Sequence, residues 1–508
     1  MSQTAPPDMA RGSALVGAVD ATAPRRAPSA RYRGHALTAA SVVALTAALW
    51  VLYGPAHLGY DPTWALAWGG ELASGHLPRL DASPAAPTPH PAANALGAVL
   101  FPLGASAAPI AFSLVVVASF AALGLVCAGI GTRLFALPVG AFFALLVLTR
   151  PHLVHEALIS STDVAFVALA LGALLLGAEA PRRGWAPLGL LAAAGLLRPE
   201  AWGFALLYGA YLVFVAKPPR RPALAALALA GPVGWMLVDL VVTGNPLFSL
   251  QGTQALAAQL NRPTGLTLAV ATLGDRLERV VGQPTLWLGL AGWAVALWAR
   301  FERAWLPSLV VILGFGGYLL LGLADLPLLS RYLALPGAVL MLFAAVLVFG
   351  WAGLERGRVR DVWMVASLVP LAIFLVTVPD QVRELHDDSL KSAASRAAQS
   401  DLERLVGSPG GRRALAECGP VRVHDFRVRP LVWYWAGIRP GAIRNGLVAD
   451  ADRGTYLTPQ AGPGVVRIAA RTAFFKEGGV PRRSLTAPAG ARMAAASDAW
   501  RLDVVGCR

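Results

Sequence analysis

The sequence predicts a polytopic α-helical membrane protein with about eleven transmembrane helices and a small C-terminal extracytoplasmic α/β domain. Three observations predict it. Of 508 residues, 56% are hydrophobic and only 14% charged, where soluble domains carry about a quarter charged. Apolar stretches of roughly 16–22 residues recur from His35 to Pro379, matching the ~20 residues a helix needs to cross the hydrocarbon. Much of the formal charge of +14 sits in short arginine clusters between those stretches, a topology signal that argues against a nucleic-acid partner.

Residues 1–35, rich in Ala, Pro and Arg, are expected to be disordered and cytoplasmic. The first span, about His35–Tyr53, is long for a signal-peptide core and no A-x-A site follows it, so it is retained. The polar stretch Gly54–Pro91 reads as an external loop. The next apolar run, Ala92–Leu103, is short. Counted as a span, it would turn Arg182–Arg183, Lys217–Arg221, Arg300–Arg303 and Arg356–Arg360 outward; counted as an interfacial helix, it leaves all four inside. The positive-inside rule selects the second reading. Further spans follow near 108–130, 134–149, 163–180, 185–197, 200–216, 222–243, 284–299, 304–323, 332–350 and 362–379.

This frame makes 36–379 the transmembrane module, with external loops 54–107, 150–162, 244–283 and 324–331. Within the third loop, Leu266, Val270, Leu273, Leu277 and Val280 recur at steps of three and four beside Asp275, Arg276, Glu278 and Arg279, the pattern of a helix lying on the membrane surface. Residues 380–508 form the external domain. It opens with a charged helical pattern over 380–400, and runs such as Val421–Val423 and Leu431–Trp435 read as strands. Cys127 lies in an apolar run and reads as core. Cys418 and Cys507 can pair if their domain lies outside the cytoplasm, or stand as free thiols, since sequence gives no distance. No CxxC or Cys/His cluster points to zinc. No Walker A, GxGxxG or GxSxG motif stands in a context that would support ATP hydrolysis, nicotinamide binding or serine hydrolysis. Lysine occurs only at 217, 391 and 476 while Arg, Ala, Gly and Pro abound; a GC-rich bacterial genome produces such usage, so a bacterial cytoplasmic membrane is the expected location.

Ionisable residues at membrane depth are costly, which makes those at helix ends candidates for function. Asp61, His90, Glu156, Asp163, Arg198, Glu200, Asp325 and Arg331 all fall at the outer ends of predicted spans, and Asp239 near one. This one-sidedness points to a site at the outer face. A transporter or flippase, the first rival, should place polar groups near mid-membrane. A non-catalytic envelope scaffold, the second, would aim Asp61 and Arg331 away from a common pocket.

Several short motifs stand on that same side. They are Gly59-Tyr60-Asp61-Pro62-Thr63-Trp64, continuing to Gly75-His76-Leu77-Pro78; Pro89-His90-Pro91; Ile159-Ser160-Ser161-Thr162-Asp163; Leu197-Arg198-Pro199-Glu200; Gly244-Asn245-Pro246-Leu247-Phe248; and Ser330-Arg331-Tyr332-Leu333. In order and spacing they resemble the GT-C glycosyltransferases over residues 36–350, in the manner of bacterial mannosyl- and arabinosyltransferases; the C-terminal domain lies outside the resemblance. It implies an inverting membrane enzyme that moves a sugar from a polyprenyl-phosphate donor to a glycan, lipid or protein acceptor of the cell envelope, among membrane lipids.

By this resemblance Asp61 is the base that takes the acceptor's proton, although an Asp here can also cap the following helix. Arg331 is expected to hold the donor phosphate, with Tyr332 as donor or interfacial anchor and Arg198 nearby. Asp163 can hold the acceptor, orient the base, assist a metal or cap its helix. His90, Glu156 and Glu200 are candidate substrate contacts; Arg198 and Glu200 can equally pair with each other, and His90 can pack its loop. His152, His155 and Glu156 do not match the i, i+4 histidine pair of a zincin. No metal ligand is assigned, and a divalent cation stays open because some members of the family use one and others do not.

Overall fold

A computed structural model describes residues 28–80, 87–182, 184–423, 426–445, 453–460, 476–477, 480–481, 487–488 and 490–507. Most of the expected disordered segment lies outside the described residues, but the chain is already helical from Pro28. Helix α1 (Pro28–Tyr53) exposes Leu37, Val43 and Val51, the last at 84%. Apolar side chains so exposed on a long helix are lipid-facing. Helices α2 (Tyr60–Ala73) and α3 (Pro91–Leu100) fill the first loop. They meet at Gly69 and Gly97, where a Cβ on either would strike the other helix's backbone.

The chain continues through α4 (Gly104–Leu134), α5 (Leu137–Leu148), α6 (Pro151–Leu158), α7 (Asp163–Glu179), α8 (Trp185–Leu197), α9 (Glu200–Ala210, prolonged by a π-turn over Tyr211–Ala216) and α10 (Arg221–Thr243). Helices α11 (Phe248–Gln259) and α12 (Leu266–Val281) occupy the third loop. The expected amphipathic segment is α12: Leu277, Val280 and Val281 are buried while Val270 is 62% exposed. Helix α13 (Gln283–Leu323) breaks at Arg300, whose φ is −148°. Helix α14 (Ala334–Phe349) is the centre of the bundle, with all but two of its 16 residues buried. Its sequence is apolar on every face, as a helix surrounded by others requires. Short α15 (Arg358–Ala366) leads to α16 (Leu368–Gly407), 40 residues and so roughly 60 Å long.

The protein is therefore a multi-pass membrane protein. The count of about eleven crossings is not established. The predicted spans fall on helices, with 362–379 crossing the break between α15 and α16, but among the described residues six helices are long and apolar enough to cross, or seven if α5 and α6, bent by 56°, form one broken span. Helix α7 has 17 residues, and α8 and α9 are shorter still, so length alone does not decide them.

The expected boundary at 379/380 falls inside α16, which carries the chain out of the bundle without interruption. Beyond it come α17 (Pro409–Glu417), α18 (Arg429–Ala436) and strands β1 (Val421–Val423), β2 (Ile443–Asn445), β3 (Gly454–Pro459), β4 (Lys476–Glu477), β5 (Val480–Pro481), β6 (Arg492–Ala496) and β7 (Trp500–Val505). Five form a mixed sheet in the order β2-β1-β3-β7-β6, with β1 parallel to β2 and β3; β4 and β5 pair separately. One strand expectation fails: Leu431–Trp435 belongs to α18, started by Pro430 and ended by Gly437 at φ +68°. Cys418 and Cys507 form a disulfide, Cα–Cα 5.8 Å, joining the end of α17 to the end of β7.

This sheet does not stand apart. Trp64 and Trp68 of α2 share one hydrophobic cluster with Leu402 of α16, Trp433 of α18 and Trp500 of β7. Ring contacts tie the two parts together, Trp64 to Trp433 at 5.4 Å and Tyr60 to Phe426 at 5.3 Å. The helix that carries Asp61 is thus braced by the C-terminal unit.

Candidate active site

The approach to α2 fixes Asp61. In the extended segment before it, the His57 and Gly59 amides donate to the Leu158 and Ile159 carbonyls, at 2.9 and 2.8 Å. Gln399 of α16 reads both backbone groups of Leu58, donating to its carbonyl at 2.6 Å and accepting from its amide at 3.3 Å. Gly59 is needed there, because a Cβ would lie 2.7 Å from the Ile159 carbonyl oxygen. His57, wedged against Ser392 of α16, is held neutral by burial, its pKa lowered to about 3.

Asp61 falls in the first turn of α2, where the helix dipole favours a carboxylate. It makes no capping bond; Arg331 donates to its Oδ2 at 2.8 Å. From this pair a chain of alternating charge runs inward. Arg331 Nε lies 3.8 Å from Asp163 Oδ2, Arg198 binds the other Asp163 oxygen, and Arg198 also donates to Glu200 at 2.7 and 3.1 Å. Exposure falls from Asp61 to Arg198 and rises again to 15% at Glu200. The Asp61 and Arg331 side chains are each 27% accessible, Asp163 7% and Arg198 3%. Tyr332 lies under the Arg198 guanidinium at 4.8 Å.

The chain borders a cavity of about 1090 Å³. Of the predicted residues, Asp61, His90, Glu156, Arg198, Glu200, Arg331 and Tyr332 line it, while Asp163 lies behind Arg198 and Arg331. Asp325, at a predicted span end, is not among the lining residues. Part of the cavity is apolar: Ile312, Leu313, Gly316, Gly317, Leu320 and Leu321 form a strip along α13, where a Cβ on either glycine would meet open space.

Sequence reading missed several walls. Arg262, between α11 and α12, and Arg427, from the C-terminal unit, add positive charge to the cavity. Burial lowers the pKa of Arg262, with the positive charges of Arg331 and Arg427 acting in the same direction. Trp202 and Trp235 form an aromatic side against which His90 packs edge-on at 5.7 Å. His90 is neutral, its pKa lowered by burial. Asp239, noted only as an ionisable residue near a helix end, uses both carboxylate oxygens to hold Ser249 at 2.8 Å and so locks the loop after α10. Among the described residues, no three His, Cys, Asp or Glu are arranged to hold a metal.

Among solved structures, the chain is similar to ArnT from Cupriavidus metallidurans bound to undecaprenyl phosphate, at TM-score 0.52 and 15% identity over 91% of this chain and 97% of that one. The apo state of the same protein gives TM-score 0.51 and 14% identity over 94% and 98%. The chain shares the fold of ArnT. No family model and no curated protein sequence matches the chain.

Within this fold, helix direction separates two ends. Helix α7 carries Asp163 at its start and Glu179, paired with Arg133, at its finish. Arg331 lies just before α14, and the Gly353 carbonyl just beyond it is bound by Arg300. The candidate site and these basic positions therefore occupy opposite ends of the same helices, about 25 Å apart by helix rise.

Proposed function

We propose that the protein is an inverting glycosyltransferase that transfers a sugar from a polyprenyl-phosphate donor to a cell-envelope acceptor at the outer face of the cytoplasmic membrane. One observation carries the reading: a carboxylate and a guanidinium, Asp61 and Arg331, stand 2.8 Å apart at the more accessible end of their charge chain. They face a cavity with an apolar, glycine-lined strip. A phosphate attached to a long hydrocarbon needs both features.

In this reading the polyprenyl chain follows the α13 strip and the phosphate meets Arg331 and Arg262. Asp61 accepts the proton of an acceptor hydroxyl. The hydroxyl oxygen attacks the anomeric carbon opposite the phosphate, and the bond to phosphate breaks with its electron pair leaving on phosphate oxygen. A single displacement inverts the anomeric configuration. Fixed positive charge at the leaving oxygen stabilises the developing phosphate charge. Arg198 is satisfied by Asp163 and Glu200, so we assign Arg198 and Asp163 to positioning: they hold Arg331 while it exchanges Asp61 for phosphate. The solved ArnT bound to undecaprenyl phosphate supports the donor class, and the separation of site from arginine clusters supports an outward-facing site.

Binding of undecaprenyl phosphate to the purified protein tests the donor assignment. The wild type should bind and Arg331→Ala should lose about tenfold or more in affinity, as for a charged hydrogen bond. A wild type indifferent to undecaprenyl phosphate contradicts the assignment.

A further inference from the structure

Helix α6 is eight residues long and is turned by 56° from the line of α5. It has three distinct sides. Leu153, Val154, Ala157 and Leu158 enter the main hydrophobic core, and His155 is exposed. His152 and Glu156, four residues apart and so on one face, line the cavity. Glu156 is 7% exposed. Its Oε2 and the His152 Nε2 are both buried without a hydrogen-bond partner, as is His90 Nδ1 elsewhere on the cavity wall. Unlike Asp61, Asp163 and Glu200, Glu156 has no ion pair among the described residues.

A buried polar atom left unsatisfied costs roughly 1–3 kcal/mol. Three such atoms on the wall of one cavity mark where a ligand supplies the missing bonds. The chemistry narrows the ligand. An ionised carboxylate only accepts hydrogen bonds, whereas an imidazole nitrogen can accept or donate. The ligand must therefore offer donors, and an anionic phosphate would be repelled from Glu156. Vicinal hydroxyls satisfy both residues. Arg331 lines the same cavity as His152 and Glu156, so a sugar joined to a phosphate at Arg331 would lie in the space that α6 borders.

We propose that His152 and Glu156 are specificity-determining residues that bind the hydroxyls of the sugar being transferred. The inference rests on the donor reading above. It is tested with purified full-length protein by measuring affinity for undecaprenyl phosphate and for undecaprenyl phosphate bearing mannose, glucose or arabinose. Wild type should bind one glycosylated lipid more tightly than the bare phosphate. Glu156→Gln and His152→Ala should each remove about tenfold of that sugar-dependent gain and flatten the ranking of the three sugars, with the affinity for bare undecaprenyl phosphate changed less than twofold. If one variant does not fold, the other carries the test. Variants that keep the sugar ranking, or that lose bare phosphate and glycosylated lipid equally, overturn the proposal. Loss of all lipid-phosphate binding in wild type removes the donor reading and this inference with it, and Arg331→Ala separates the cases because it weakens every ligand in the set.

Discussion

Arg198 holds two carboxylates at once while 3% exposed. Removing one partner of such a buried group leaves the other charged and unsolvated, at a cost of about 3–5 kcal/mol. Arg198→Ala should therefore lower the unfolding midpoint of the purified protein markedly, whereas Arg331→Ala, at the 27% accessible end, should not; equal effects would remove the distinction between holding and reacting residues. His57 gives a pH signature. Its ordinary pKa is about 6.5, and burial holds it near 3 in the fold. Between those values the unfolded chain takes up a proton that the folded chain refuses, so stability falls as pH is lowered through that window. A His57→Asn variant should lose less thermal stability than wild type between pH 7 and pH 5, read by parallel melts. At this scale Asp61, Arg331, Arg198 and Glu200 were legible because a charge at the end of an apolar run is conspicuous. Arg262 and Arg427 were not: each lies in polar sequence, where one more arginine carries no signal.

At the scale of elements, α18 was misread because aromatic and β-branched residues favour strands, yet Pro430 before it and Gly437 after it are the punctuation of a helix. That α12 is a helix was legible because its apolar positions repeat at helical spacing. What no periodicity conveys is which element buttresses which. Gln399 on α16 fixes Leu58, and the C-terminal unit braces α2 through Trp64 and Trp433; both contacts join residues more than 300 positions apart. The α13 strip yields its own prediction. Gly316 and Gly317 face open space, so Gly317→Trp should leave folding intact, since glycine is a poor helix former, and reduce the affinity for undecaprenyl phosphate at least tenfold. Unchanged binding of the lipid by a folded Gly317→Trp protein would place the chain elsewhere.

For the whole molecule, the sequence conveyed the membrane class, the positions of the apolar helices and the single-sided gathering of charge, since all three follow from the cost of placing polar groups in hydrocarbon. It did not convey the number of crossings, because short helices such as α8 and the bent α5–α6 pair lie near the length at which spanning and re-entry look alike. Nor did it convey the cavity, whose walls come from loops and from the C-terminal unit as well as from the bundle. The account as a whole rests on Asp61 acting on an acceptor hydroxyl beside a lipid phosphate held by Arg331. Sugar transfer by the purified protein in liposomes, from radiolabelled polyprenyl-phosphate sugars to an envelope-lipid extract, tests it most directly. Asp61→Asn should fold, bind undecaprenyl phosphate and transfer about a thousandfold more slowly than wild type, within the range a general base contributes. Turnover by Asp61→Asn at the wild-type rate would contradict the account.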